Sequence, residues 1–152
     1  MAGRWTTTQG QTAADDPRLG VLAHKDDEDP WTAEEFDEVA NDLREHRARI
    51  AGLLSVLERE VNGLMTDAGD GAGQDQADVG STTLERDQDL QLLTTERQNL
   101  EQVEAALARL EAGTFGVCES CGEPIGKLRA MAFPRATLCL PCKQRQEKLG
   151  TR

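Results

Sequence analysis

Cys118-Glu-Ser-Cys121 and, after 17 intervening residues, Cys139-Leu-Pro-Cys142 are the stretches that decide the fold of this chain. They contain all four of its cysteines, arranged as two CxxC motifs. A CxxC motif closes a tight turn in which both sulfur atoms face one centre. Two such turns supply the four thiolates of a tetrahedral structural zinc site, which leaves no position open for water or substrate. The sequence therefore predicts Zn²⁺ in a structural role, held by Cys118, Cys121, Cys139 and Cys142.

The composition does not favour a broad globular core. Of 152 residues, 3% are aromatic and 30% are charged. A narrow contact between long helices, next to a small metal-stabilised module, needs less apolar surface than a globular core does. No apolar run approaches the ~20 residues of a membrane span, and the N-terminal sequence has no apolar segment of a secretory signal. We therefore expect a cytoplasmic protein without a membrane partner, whose reduced cysteines bind metal rather than form disulfides.

The net charge of −11 is unevenly distributed along the chain. Residues 1–113 contain 10 Lys and Arg against 25 Asp and Glu, whereas residues 114–152 contain 7 against 3. Phosphates would repel the acidic part, so direct DNA binding is not expected. The basic residues of the C-terminal part are interpreted as a solvated face, with contact to an anion or a partner as the alternative; they are Lys127, Arg129, Arg135, Lys143, Arg145 and Lys148.

The sequence pattern predicts a mainly α fold in three regions. Residues 1–30 have few apolar side chains and end in an acidic run before Pro30, which is typical of a disordered tail. Residues 31–112 form a long antiparallel coiled-coil hairpin, with its tip at about 67–80, a glycine-rich stretch. Residues 113–152, called here the zinc module, carry the four cysteines and end in a short basic helix. Short strands or turns are expected between its two cysteine pairs.

The first helix of the hairpin begins with a recognisable signal. Thr32-Ala-Glu-Glu35 is a capping box, in which each of the two outer side chains accepts a hydrogen bond from the backbone of the other residue. Apolar residues then recur every seven positions, as in a coiled coil: Phe36, Leu43, Ile50, Leu57 and Leu64. Val39 and Leu53 are assigned to the intervening position, where His46 and Glu60 interrupt the pattern.

The second helix is expected from about Asp78 to Glu111. Its apolar stripe contains Leu93, Val103 and the residues in heptad register with them, and Leu84 and Leu90 extend it toward the tip. Gly113 suits a left-handed helix end. Two helices of about 34 residues joined by a short turn must run antiparallel, and each is roughly 45–50 Å long. A polar tip so far from the zinc module buries little surface, so the length serves reach rather than stability.

Asp75 and Asp78 are the candidate functional residues of the tip. Their spacing is too sparse for a calcium loop, which needs a longer acidic pattern and a closing glutamate. They are interpreted either as a helix cap and a solvated turn or as carboxylates presented to basic groups of a partner. The two histidines lie far from the cysteines, and no nucleophile, base and acid are arranged as a catalytic set. We do not expect an enzyme.

The zinc module resembles that of the DksA/TraR family of C4-type zinc-finger transcription regulators. The resemblance rests on Gly113-Thr-Phe-Gly-Val-Cys-Glu-Ser-Cys-Gly-Glu-Pro-Ile125 and Leu138-Cys-Leu-Pro-Cys142, and the preceding hairpin extends it over roughly residues 30–148. It implies a protein that binds RNA polymerase directly without binding DNA, and inserts its coiled-coil tip into the secondary channel near the catalytic centre. We expect this protein to be a monomer. It also implies that the tip contacts the polymerase through an Asp-x-x-Asp-x-Ala motif.

In this chain the motif is Asp75-Gln-Ala-Asp78-Val-Gly80, with Gly80 in place of alanine. Glycine loosens the start of the second helix and removes a methyl contact, so tip activity is expected to be altered.

Some members of the family share a (p)ppGpp site with the polymerase. Here Lys143 fits such a site and Arg129 is a second candidate anion contact, but Phe133 and Gln102 cannot neutralise pyrophosphate. Joint action with (p)ppGpp is therefore not expected.

Two hypotheses of other classes stay open at this point. The four thiols could form a redox-responsive or zinc-responsive switch, since thiolates are oxidised more readily than thiols. Alternatively, the basic C-terminal part could be a nucleic-acid-binding zinc ribbon, although it contains few aromatic residues for base stacking. Neither hypothesis requires the long hairpin, whereas a regulator that reaches into a channel does.

Overall fold

The computed structural model describes residues 17–69 and 76–150, with the side chains of residues 67–69, 76–79 and 82 outside the description. Within these ranges four helices follow one another: α1 (Ala33–Gly69), α2 (Gln76–Ala112), α3 (Lys127–Ala132) and α4 (Leu140–Gly150). In the described ranges the only β pairing is an isolated antiparallel bridge between Val117 and Pro124. The predicted mainly α fold, with two long helices, a four-cysteine module and a short C-terminal helix, is confirmed.

The described residues divide into two compact units. The first contains residues 17–44 and 103–150, and the second contains Glu45–Gln102. The first unit thus includes the start of α1, the end of α2 and the whole zinc module. None of the helices in the described part of the chain is both long and apolar enough to span a membrane.

Both ends of the hairpin that face the zinc module are fixed by local hydrogen bonds. Glu35 N donates to Thr32 Oγ1 at 3.2 Å, and Thr32 N donates to Glu35 Oε2 at 3.0 Å, which confirms the predicted capping box. At the end of α2, Gly113 has φ 75° and donates its N–H to Leu110 O, while Thr114 N donates to Arg109 O. This is a Schellman motif, which confirms the predicted left-handed glycine after α2.

The heptad prediction for α1 holds at its first position and, at the intervening position, for Val39, which is buried. Phe36, Leu43, Ile50 and Leu57 are buried as expected. Three residues that follow them at a spacing of four are also buried, namely Ala40, Leu54 and Val61. The assignment of Leu53 to the intervening position was wrong: its side chain is 41% exposed, whereas that of the next residue, Leu54, is 7% exposed. Glu60 is exposed as well, so it does not interrupt the buried stripe.

In α2 the predicted stripe is confirmed near the zinc module and fails toward the tip. Leu93, Val103, Leu107 and Leu110 are buried, and Ala106 joins them. The expected extension is wrong, since Leu84 is 61% exposed and Leu90 is 36% exposed. An ion pair joins Arg97 and Glu58 at 3.0 Å in the second unit. Both side chains are about half exposed, so this pair adds little stability.

Residues 17–30 differ from the expected disordered tail. Leu19 and Leu22 are buried, the Trp31 indole Nε1 donates to Ala23 O at 3.1 Å, and the Trp31 ring meets Phe115 edge-on at 5.8 Å. The apolar residues of this segment are few, but they pack on a surface that the rest of the first unit already provides. Residues 1–16 of the predicted tail lie outside the described residues.

Candidate metal centre

The four cysteines of the zinc module come together at one point. Their Sγ atoms all lie within 4.8 Å of one another, and Cys121 Sγ is 3.8 Å from Cys139 Sγ. Four sulfurs placed 2.3 Å from a central Zn²⁺ would be ~3.8 Å apart in a tetrahedron. Cys118, Cys139 and Cys142 are buried, while Cys121 is exposed. The cluster has the donor set and spacing of a closed C4 zinc site.

The first cysteine pair is shaped by its backbone. Cys118 N donates to Glu123 O and Gly122 N donates back to Cys118 O, both at 2.9 Å. Gly122 has φ 76°, a left-handed conformation that a residue with a Cβ rarely adopts. The chain therefore turns back directly after Cys121, and both sulfurs are left on the same side. A further bond, from Glu119 N to Thr137 O at 2.9 Å, joins this turn to the segment that leads into Cys139.

The second pair uses a helix start instead of a turn. Cys139 immediately precedes α4 and Cys142 lies in its first turn, where Lys143 N donates to Cys139 O at 2.9 Å. Arg145, three residues after Cys142 on the same helix, donates from Nη2 to Cys142 Sγ at 3.2 Å. This contact was not predicted, although the i, i+3 spacing on a helix is the signal that would have found it. The second cysteine pair is thus contacted from within its own helix.

The pKa values of Cys118 and Cys121 indicate that the four sulfurs need a cation between them. Burial raises the pKa of Cys118, but N–H groups of Cys139, Cys121 and Ser120 outweigh it and lower the pKa to about 6. At Cys121, a backbone N–H from Glu123 lowers the pKa, but the surrounding cysteine side chains and burial together raise it to about 12. Four adjacent sulfurs cannot all be anionic without a cation between them. The donor set therefore fits a divalent metal, which would allow all four to bind as thiolates.

Between the two pairs the structure has α3 where short strands or turns were expected. This helix begins after Gly126, which has φ 106°. Lys127, its first residue, is buried, and its Nζ forms an ion pair with Glu35 of α1 at 3.0 Å. The interpretation of Lys127 as part of a solvated basic face was therefore wrong. Its charge instead joins the zinc module to the capping box of α1.

The two candidate anion contacts lie on the same module and make contacts within it. The Arg129 guanidinium lies over the Phe133 ring at 5.6 Å, and its Nε donates to Leu138 O at 3.5 Å. Lys143 Nζ is 3.8 Å from Glu147 in α4. The Phe133 side chain is exposed.

The tip residues are only partly described. Asp75 lies outside the described residues. Asp78 is the third residue of α2, so it lies inside the first turn and not before it as the helix cap that one interpretation required; its side chain is not described. Gly80 is an exposed residue of the same helix, and a Cβ at this position would meet no atom within 4 Å.

Comparison with known proteins identifies the family. Residues 113–148 match the family described as the prokaryotic dksA/traR C4-type zinc finger. A curated relative from Escherichia coli strain K12, named RNA polymerase-binding transcription factor DksA, is 30% identical over 119 residues, which cover 76% of this chain and 79% of the relative. The chain belongs to the DksA/TraR family. In this family the four cysteines are a C4 zinc site, and the observed sulfur cluster agrees with that assignment.

Two further DksA relatives support the assignment. DksA2 from Pseudomonas aeruginosa, a solved structure, is 32% identical with a TM-score of 0.65, and the match covers 79% of this chain and 88% of that chain. A relative from Caulobacter vibrioides, also named RNA polymerase-binding transcription factor DksA, is 36% identical over 74 residues. This last match covers 49% of this chain and about half, 52%, of the relative.

Replacing Gly80 with alanine is expected to strengthen the start of α2. The position is helical and open, so the methyl group costs nothing sterically, and alanine is favoured over glycine by about 0.8–1 kcal/mol in a helix. We expect slower amide exchange over residues 76–84 in Gly80→Ala. Gly52→Ala is the matched control, because Gly52 is also helical and open and lies in α1. Equal exchange over residues 76–84 in Gly80→Ala and Gly52→Ala would contradict the prediction.

Proposed function

We propose that this protein is a non-catalytic transcription regulator that binds RNA polymerase and acts through the secondary channel. The observation that carries the proposal is family membership over most of the chain, with a relative whose name states polymerase binding. The two long helices, α1 and α2, are 37 residues each, and the end of α1 and the start of α2 both fall within the predicted tip region. A polar end of a narrow helical pair suits a channel that a globular domain could not enter. The polymerase would place the protein in the cytoplasm.

The proposed contact is made by the tip, with Asp75 and Asp78 presented to basic groups near the polymerase catalytic centre. Carboxylates across an interface contribute specificity and orientation more than affinity, which suits a protein that alters a reaction rather than merely binding. Gly80 follows these residues in α2 and is exposed. The proposal therefore separates two roles: the body of the protein supplies binding, and the tip supplies the regulatory effect.

Direct DNA binding and joint action with (p)ppGpp are not part of the proposal. Of the six basic residues named above, Lys127 is buried and pairs with Glu35, and Arg145 is engaged by Cys142. Arg129 is engaged with the exposed Phe133 ring, which has no charge to offer a pyrophosphate. The module therefore offers less outward positive charge than its composition suggests.

The test is in vitro transcription with RNA polymerase purified from the same organism, together with a direct binding measurement. We expect the zinc-loaded protein to bind core polymerase as a monomer and to change the lifetime of open complexes, to the same extent with and without (p)ppGpp. Promoter DNA alone should not be retarded in a mobility-shift assay. Absence of polymerase binding would overturn the proposal, whereas binding with a shift of naked DNA would favour the zinc-ribbon alternative.

A thiol switch is the second candidate function, and the exposure of Cys121 favours it. An accessible zinc-bound sulfur is the atom that an oxidant would reach first, and its oxidation would release the metal. Mild peroxide should then release zinc reversibly and change the transcriptional effect in parallel. If zinc is retained, or is lost without any change in transcription, the metal site is only structural.

A further inference from the structure

Three glycines of the zinc module mark the path of the segment before α1. A Cβ on Gly113 would lie 2.5 Å from Val21 Cγ2, one on Gly116 would lie 3.2 Å from Ala23 O, and one on Gly126 would lie 3.2 Å from Lys25 Cε. The contacting residues alternate along the segment, which is the period of an extended chain. All three glycines have positive φ, between 75° and 106°. Where this segment crosses the module, it therefore packs against glycines, and no side chain of those glycines stands in its way.

The same segment contacts both the start of α1 and the zinc module. Leu19 and Leu22 are buried, and the Arg18 guanidinium lies 4.7 Å from the centre of the Phe36 ring. At its other end Trp31 is buried, with its indole hydrogen-bonded to Ala23 and its ring against Phe115 of the module. These contacts lie within the first unit. They bring residues 17–31, α1 and the zinc module into one packed arrangement.

Glu28 makes the polar connection between this segment and α3. Its Oε2 accepts hydrogen bonds from Lys127 N at 2.8 Å and from Lys25 N at 3.0 Å, and its Oε1 accepts one from Leu128 N at 3.4 Å. Lys127 and Leu128 are the first two residues of α3, whose N-terminal amides have no partner inside the helix. Since Lys127 Nζ is held by Glu35, the start of α3 is fixed from two sides.

We propose that residues 17–31 form a strap that completes the zinc module, and that Glu28 is the positioning residue by which the strap holds α3. The family match covers residues 113–148 and does not include this segment. Because α3 lies between the two cysteine pairs, the strap also restrains the loop that joins them. Release of the strap would free the start of α3, uncover Leu19 and Leu22, and weaken zinc retention.

The negative charge of Glu28 contributes to the contact between the strap and α3. Partial burial raises the pKa of Glu28, but hydrogen bonds from Lys127, Lys25 and Leu128 and the positive charge of Lys25 outweigh it, so its pKa lies below the ordinary value of 4.5. The charged group facing it is Lys25 from the strap, whereas Lys127 of α3 contributes its backbone N–H and directs its Nζ to Glu35. A lowered folded-state pKa means that the stabilisation is complete above the unfolded-state pKa and is lost as pH falls through the folded-state pKa. At neutral pH Glu28 is therefore ionised and its stabilising contribution is complete.

The test uses Glu28→Gln in the full-length, zinc-loaded chain, with Asp27→Asn as the control. Both variants remove one negative charge, but Asp27 is exposed. In the wild type three backbone N–H groups donate to the two carboxylate oxygens of Glu28, whereas a glutamine side chain offers only one acceptor oxygen. Charge-assisted hydrogen bonds are about twice as strong as neutral ones, so we expect the amides of Lys127 and Leu128 to exchange about tenfold faster in Glu28→Gln. Zinc transfer to a chromogenic chelator should accelerate in the same variant and not in the control.

A second variant keeps the proposal testable if Glu28→Gln does not fold. Glu28→Asp retains the charge but shortens the side chain by one methylene, and about a threefold acceleration of the same two amides is expected from the stretched hydrogen bonds. With Trp5 replaced by phenylalanine, Trp31 fluorescence reports directly on the strap, since these are the two tryptophans of the chain. Amide exchange, zinc transfer and fluorescence equal to those of Asp27→Asn would overturn the proposal.

Discussion

Replacing Cys118 with serine is expected to abolish zinc binding and to unfold the zinc module, while α1 and α2 remain helical. Cys118 is 1% exposed and packs with Ile125, Cys139 and Cys142. So small a cluster buries little apolar surface, and metal binding, worth on the order of 10 kcal/mol in isolated zinc modules, supplies the folding free energy. The variant should contain less than a tenth of the wild-type zinc by elemental analysis, a near-complete loss expected when one of four ligands is removed.

Circular dichroism separates local from global unfolding in this experiment. The module contributes helices of 6 and 11 residues, against 37 residues in each long helix. Loss of the module alone should therefore lower the helical signal by about a fifth, as expected when the metal folds only its own module. Ser120→Ala, an exposed position between the first two cysteines, is the matched control and should keep its zinc. If Cys118→Ser retains one tightly bound zinc, the C4 assignment is wrong.

Signals that act within a few residues allowed correct prediction from the sequence. The capping box at Thr32 and Glu35 and the glycine at 113 each satisfy backbone groups of their own helix end, so their residue types are sufficient. The CxxC pairs are local in the same way, because the first closes its own turn and the second spans the start of α4. For these features the tertiary environment adds nothing that the sequence does not already contain.

Features that depend on the partner surface could not be predicted in the same way. Leu53 and Leu54 are identical neighbours, and only the direction from which α2 packs decides which of them is buried. Glu28 belongs to an acidic run that looks solvated, yet it accepts hydrogen bonds from amides about a hundred positions later in the chain. The sequence shows the charge of such a residue, but it does not show which distant part of the chain that residue contacts.

The burial of Lys127 shows the same limit for the basic residues. A count of charges gave the zinc module a positive face, but Lys127 is removed from that face by its ion pair with Glu35. Two residues so distant in sequence carry no pattern that links them. The nucleic-acid hypothesis depended on the summed charge, so it loses support once the individual positions are known.

Replacing Asp75 and Asp78 together with asparagine is expected to abolish the effect on transcription without weakening polymerase binding. Asparagine keeps the size of the side chain and removes its charge, and charge is the property that basic groups of a catalytic centre would recognise. We expect an unchanged dissociation constant for polymerase, within about twofold, and a loss of the open-complex effect of about tenfold or more. Binding measurements and open-complex lifetimes should be recorded on the same protein preparations.

Asp87→Asn with Asp89→Asn is the control that isolates position from net charge. Both aspartates lie in α2, so this variant removes the same two charges from the same helix outside the tip motif. If only general electrostatic attraction mattered, the two double variants would lose activity equally, and the proposed role of the tip would be wrong. If the tip variant alone is inactive, adding Gly80→Ala to the wild type asks what the missing methyl group does. Both substitutions strengthen a helix, but only Gly80→Ala alters the tip motif. If Gly80→Ala increases the effect on open complexes and Gly52→Ala does not, the single residue Gly80 weakens the tip of this protein.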